Sequence, residues 1–151
     1  MTQLALAAAV TAVVIVVASL LNRRRRADAP TQPRWHVPSQ LDRADFADPA
    51  APWLVVVFTS ETCHVCADVA RKAAALESRE VAVDEVDYAT GRDLHRRYRI
   101  DAVPTLVVAD AAGVVRHSVL GPITATDLWC AVAEVRDPGS TPTHEGCQRA
   151  E

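Results

Sequence analysis

The hydrophobic pattern of the chain divides into an uncharged leading run and a body of alternating short elements. From Leu4 to Leu21 no charged residue occurs, and Ala, Val, Leu and Ile fill almost every position. As a helix this run spans roughly 27 Å, enough for the hydrocarbon core of a bilayer. Farther on, Trp35-His36-Val37 reads as a short edge strand, and "QLDRADFADPAAP" as a brief helical turn entering a Pro-rich loop. The Val-rich run "WLVVVF" (Trp53–Phe58) has the length and β-branching of a strand buried on both faces. Val65, Val69, Ala73 and Leu76 then recur at helical spacing and predict one amphipathic face.

The remaining elements follow in the same way. "VAVDEV" (Val81–Val86) alternates as a strand, and "GRDLHRRYRI" predicts a short helix with Leu94 and Tyr98 inward. "TLVVAD" and "VVRHSVL" flank Ala111-Ala112-Gly113 as a hairpin. Thr124 opens a last helix with Asp127 as its capping partner, and Leu128, Ala131, Val132 and Val135 form the buried stripe. Trp53 and Trp129 read as core or sheet-flank residues. From Arg136 onward Pro, Gly, Ser and Thr predominate, which predicts a disordered tail. The order predicts an α/β fold, a mixed central sheet of 4–5 strands with helices on both faces. The expected organisation is a transmembrane helix over 3–22, a basic juxtamembrane segment and linker over 23–33, a folded domain over 34–136 and a tail over 137–151.

Charge bears on topology and on partners. No Lys or Arg precedes the apolar run, as a cleaved signal peptide would require, whereas Arg23–Arg26 follow it directly. Arginines there hold the following chain on the cytoplasmic side, so the expectation is a single-pass cell-membrane protein with a cytoplasmic domain. The whole chain carries 16 Lys+Arg against 19 Asp+Glu, and without the juxtamembrane arginines the balance is more acidic still. Such a body does not attract nucleic acid. Arg92, Arg96, Arg97 and Arg99 read as a solvated helix face, with a docking patch for an acidic partner as the alternative.

The candidate chemistry lies in "CHVC". Cys63 and Cys66 stand between a buried strand and a helix. The unpaired N–H groups of a helix's first turn stabilise a nearby thiolate. Such a site draws a thiol from about 8.5 down to roughly 3.5–7.5. Cys63 would then attack a substrate disulfide, and the more sheltered Cys66 would resolve the mixed disulfide. His64, between them, would favour the thiolate when cationic. A zinc site is disfavoured, because a second CxxC or an HxxxH is missing and His95, His117 and His144 have no ligand spacing. Haem attachment would need His directly after the second cysteine. No metal and no bound cofactor is expected, the cysteine pair itself carrying the electrons. Cys130 and Cys147 read as two ordinary free thiols, the alternative being a third redox partner.

A second feature agrees with redox chemistry. In "DAVPTLVV" Pro104 stands just before a strand. A cis bond there would turn the backbone at Val103 toward the thiols, where a substrate segment could pair with it.

These parts together resemble the thioredoxin-like superfamily: the strand "WLVVVF", the motif "CHVC", "VPT" at Val103–Thr105, the hairpin "VVADAAGVV" and Gly121 before the last helix. The resemblance covers about Trp35 to Val135. With the apolar anchor, the arrangement is similar to small membrane-tethered thioredoxin-domain proteins of actinobacteria. It implies a thioredoxin-like fold, Cys63 as nucleophile, Cys66 as resolving cysteine, Pro104 as a cis-proline, and His64, Val103, Pro104 and Thr105 at the substrate. It also implies protein disulfide or dithiol substrates and an electron donor as partners. Two alternatives stay open: an outward-facing reductase for envelope or cytochrome maturation, and a non-catalytic binding or metallochaperone module. The chain departs from the family at Thr62, His64 and Val65, where thioredoxins carry Trp, Gly and Pro. The family's buried acid matches Val57 and its lysine partner Val83, so slower release of substrate is expected.

Overall fold

The computed structural model describes residues 35–140. The expected membrane helix, the linker and the chain from 141 onward lie outside these residues. Among the described residues no helix is long and apolar enough to cross a membrane. A 3-10 turn (Arg43–Asp45) precedes β1 (Trp53–Thr59), α1 (Cys66–Ala74), β2 (Val81–Asp87), α2 (Arg92–Arg97), β3 (Thr105–Asp110), β4 (Val115–Leu120) and α3 (Ala125–Arg136). The strands form one sheet in the order β2-β1-β3-β4. β1 runs parallel to β2 and antiparallel to β3, and β4 is antiparallel to β3.

β1 is central because its side chains are apolar on both faces. Val55 and Val57 point into a cluster with Val69 and Ala73 of α1 and Leu128 and Val132 of α3. Leu54, Val56 and Phe58 point the other way, into a cluster with Leu41, Phe46 and Tyr98. Each such side chain contributes roughly 1.5–3 kcal/mol when fully buried. Tyr98 closes the second cluster: its hydroxyl donates to Asp45 and accepts the N–H of Asp42 at 3.0 Å. Burial and the Asp45 carboxylate push its pKa up to about 12. Arg97, exposed as the solvated face predicts, reaches the same turn through Asp45 at 2.8 Å and Asp42 at 3.0 Å.

Four expectations are corrected. Trp35-His36-Val37 is not a strand. Pro38 cannot donate to a ladder, and the arm pairs only beyond it, through a bridge between Gln40 and Val114. Gly113, at φ +77°, receives that arm; a Cβ there would lie 2.0 Å from the carbonyl oxygen of Leu41. Val65 does not face inward, since α1 begins one residue later and Val65 is its exposed N-cap. Trp129, beside the buried Leu128, lies off the α3 stripe and is half exposed, whereas Trp53 packs on the sheet. Finally, residues 137–140, assigned to a disordered tail, form a hydrogen-bonded turn: Asp137 N–H donates to Ala133 O at 2.9 Å and Ser140 N–H to Asp137 O at 3.0 Å.

Candidate active site

β1 delivers the chain to the cysteines. After Thr59, the Cys63 N–H donates to Ser60 O at 2.9 Å and the Cys66 N–H to Cys63 O at 3.2 Å, two successive turns. Cys63 and Cys66 are joined as a disulfide, their Cα atoms 5.4 Å apart. Cys66 is the first residue of α1, and no side chain caps that helix start. Cys63 therefore lies just ahead of an uncapped helix N-terminus, where a thiolate would be favoured. Cys63 is half-buried, and Cys66 is only 2 % exposed. Cys63 is thus the more accessible residue of the pair and Cys66 the sheltered one.

The second part of the site comes from β3. The Val103–Pro104 peptide bond is cis. Thr105, the next residue, pairs with Phe58 of β1 and Leu120 of β4. This register puts the proline loop at the sheet end where β1 leads into Cys63. Gly121 N–H donates to Pro104 O at 2.9 Å, which fixes the loop from the β4 side. Val103 is half-buried and packs against the core, and His64 is exposed. The Thr105 side chain does not reach the surface. It is fully buried, and its hydroxyl donates to Ala102 O at 2.7 Å, shaping the loop from within.

The same sheet end carries features that the sequence reading did not assign to the site. Val65, Tyr88 and Leu120 are exposed large apolar residues there: Val65 precedes α1, Tyr88 follows β2 and Leu120 ends β4. Tyr88 is tied to β1 through its N–H, which donates to Thr59 O at 2.9 Å. Arg92 lies over its ring, 5.2 Å from the centroid. His95 is buried between Tyr88 and Phe58, edge-on to both rings, with Nε2 donating to Val86 O at 2.9 Å. It is a core residue whose ring supports the tyrosine. Thr59, also buried, donates its hydroxyl to Glu85 Oε1 at 3.0 Å. For Thr59, Tyr88 and Leu120 the only advance signal was their position immediately after or at the end of a strand.

Among the described residues, no three His, Cys, Asp or Glu side chains are grouped closely enough to hold a metal ion. Cys130, on α3 and half-buried, is not the free thiol expected of it; it is disulfide-bonded. Cys147 and His144 lie outside the described residues.

No family model matches the chain, and no curated protein matches it. Solved structures do. A malarial protein superposes with a TM-score of 0.50 at 15% identity, covering 55% of this chain and 96% of its own. A mutant thioredoxin from Halobacterium salinarum gives a TM-score of 0.48 at 22% identity, covering 62% of this chain and 82% of its own. The first likeness is one of fold. The chain's own strand order, the disulfide at the β1–α1 junction and the cis-proline before β3 fit a thioredoxin-like fold.

Proposed function

We propose that the protein is a thiol–disulfide oxidoreductase acting on protein substrates. The observation that carries this reading is the unequal burial of two bonded cysteines at an uncapped helix start. In the reduced protein the Cys63 thiolate attacks a substrate disulfide, bonding to one substrate sulfur while the other leaves as a thiolate. Cys66 then gives up its proton and attacks Cys63. The substrate is released as a dithiol and the pair is left oxidised, to be recharged by an external dithiol donor. The apolar rim of Val65, Tyr88 and Leu120 suits a protein segment laid across the cysteines, with Val103 offering backbone beside it.

The uncharged run Leu4–Leu21 and the arginines after it support a membrane tether with the domain facing the cytoplasm. A second reading places the domain outside, and one observation favours it: Cys130 is disulfide-bonded, and such bonds persist mainly in oxidising compartments. Labelling of engineered cysteine-free and single-cysteine chains from either side of the membrane separates the two.

The catalytic reading is tested by Cys66→Ala in the full chain. The variant should accumulate a mixed disulfide between Cys63 and a disulfide-bonded protein, and the double variant with Cys63→Ser should not. Equal trapping by both would overturn the reading.

A further inference from the structure

The sheltered cysteine poses a chemical problem that the exposed one does not. Cys66 is 2 % exposed, packed at the head of a helix whose next turn, Val69, sits among valines of the sheet. Burial in apolar surroundings holds a thiol in its protonated form. It must nevertheless ionise to attack, so a proton acceptor has to stand nearby.

The strand register locates one. Because β1 and β2 are parallel, α1 between them runs back along β1, and its first residue lies at the C-terminal end of that strand. Val69 packs in the cluster of Val55 and Val57; one turn earlier on the helix is Cys66, and one step later on the same strand face is Thr59. Thr59 is itself only 2 % exposed, and its hydroxyl donates to Glu85 at 3.0 Å. Glu85, the β2 partner of Val57 in the ladder, is exposed. The pair thus runs from the buried side of the sheet to solvent.

Other charged groups around this end are committed or lie outside. Asp68 of α1 holds Arg71 and Lys72, each at 2.6 Å. Asp87 takes the N–H of Ala89 at 2.7 Å. Glu61 and His64 are exposed in the loop ahead of the helix. On this face β3 and α3 contribute apolar side chains, Leu106 and Leu128.

We propose that Thr59 and Glu85 together take up the proton that Cys66 sheds when it attacks the mixed disulfide. This rests on the oxidoreductase reading above and assigns the base for its second step. The Cys66 proton passes to Thr59 Oγ1 as the hydroxyl's own proton passes to the Glu85 carboxylate, and from there to water. The Cys66 sulfur bonds to Cys63, the bond from Cys63 to the substrate sulfur breaks, and that sulfur departs with the electron pair as a thiolate.

The test follows resolution of the mixed disulfide in the full-length protein, by rapid mixing of the reduced chain with a disulfide-bonded peptide and acid quenching, across pH. Glu85→Gln should resolve about 10-fold or more slowly at neutral pH. The deficit should close above about pH 9, where the thiol ionises without help. Thr59→Val should behave alike, and Thr59→Ser should restore the rate. A carboxylate acting only by its charge would give the opposite result, since its removal eases ionisation of a neighbouring thiol. A Glu85→Gln variant that resolves as fast as wild type, or faster, overturns the proposal. So does a deficit that is constant with pH. Failure of the parent reading looks different: wild type itself then forms no mixed disulfide.

Discussion

The backbone N–H of Tyr88 donates to the carbonyl of Thr59 at 2.9 Å. This bond continues the β1–β2 ladder past its last side-chain pair and holds an exposed aromatic ring at the sheet end that bears Cys63. His95 meets the ring edge-on and Arg92 lies over it. An apolar surface kept exposed by so many contacts invites a docking role.

Tyr88→Ala should therefore raise KM for a protein disulfide by about 5- to 10-fold, the range of a modest interface anchor. Leu120→Ser should act in the same direction. Because Leu120 is 40 % exposed, its replacement should shift stability by less than about 0.5 kcal/mol. Reduction kinetics with a protein substrate and with a small aromatic disulfide check this; the small disulfide should lose little.

Phe58 is fully buried where the sheet meets the proline loop, with His95 at 5.2 Å and Tyr98 at 6.3 Å between ring centroids. Phe58→Ala should cost about 3–5 kcal/mol. Urea unfolding followed by tryptophan fluorescence reads this as a lower midpoint.

Much of this was legible in the sequence, and the reason differs from element to element. β1 announced itself because a strand buried on both faces must be apolar at successive positions. Cys63 and Cys66 were legible because spacing at a strand–helix junction has few other uses. The link between Thr59 and Glu85 was not legible, since it depends on the parallel register of two strands. Val65 was misplaced because its apolar side chain continues the helical spacing one residue past the point where the helix begins. The burial of Thr105 was hidden because its neighbours, Phe58 and Leu120, are set by pairing on both sides.

Tyr98 gives the fold a pH dependence at the alkaline end. Its folded pKa is raised to about 12, chiefly by burial and then by Asp45, whereas an unfolded tyrosine titrates near about 10. The folded state thus holds the proton more tightly between these values. Its contribution to stability is complete below about pH 10 and is lost as pH rises toward about 12. Wild type should lose stability over that window more steeply than Tyr98→Phe, measured by chemical unfolding at each pH.

The most direct test of the account is turnover. Full-length wild type and Cys63→Ser are compared for reduction of a disulfide-bonded protein such as insulin, with a small dithiol as electron donor. Wild type should accelerate the reaction, and Cys63→Ser should return it to the rate of the donor alone. A Cys63→Ser protein as active as wild type would contradict the assignment of Cys63 as the attacking sulfur.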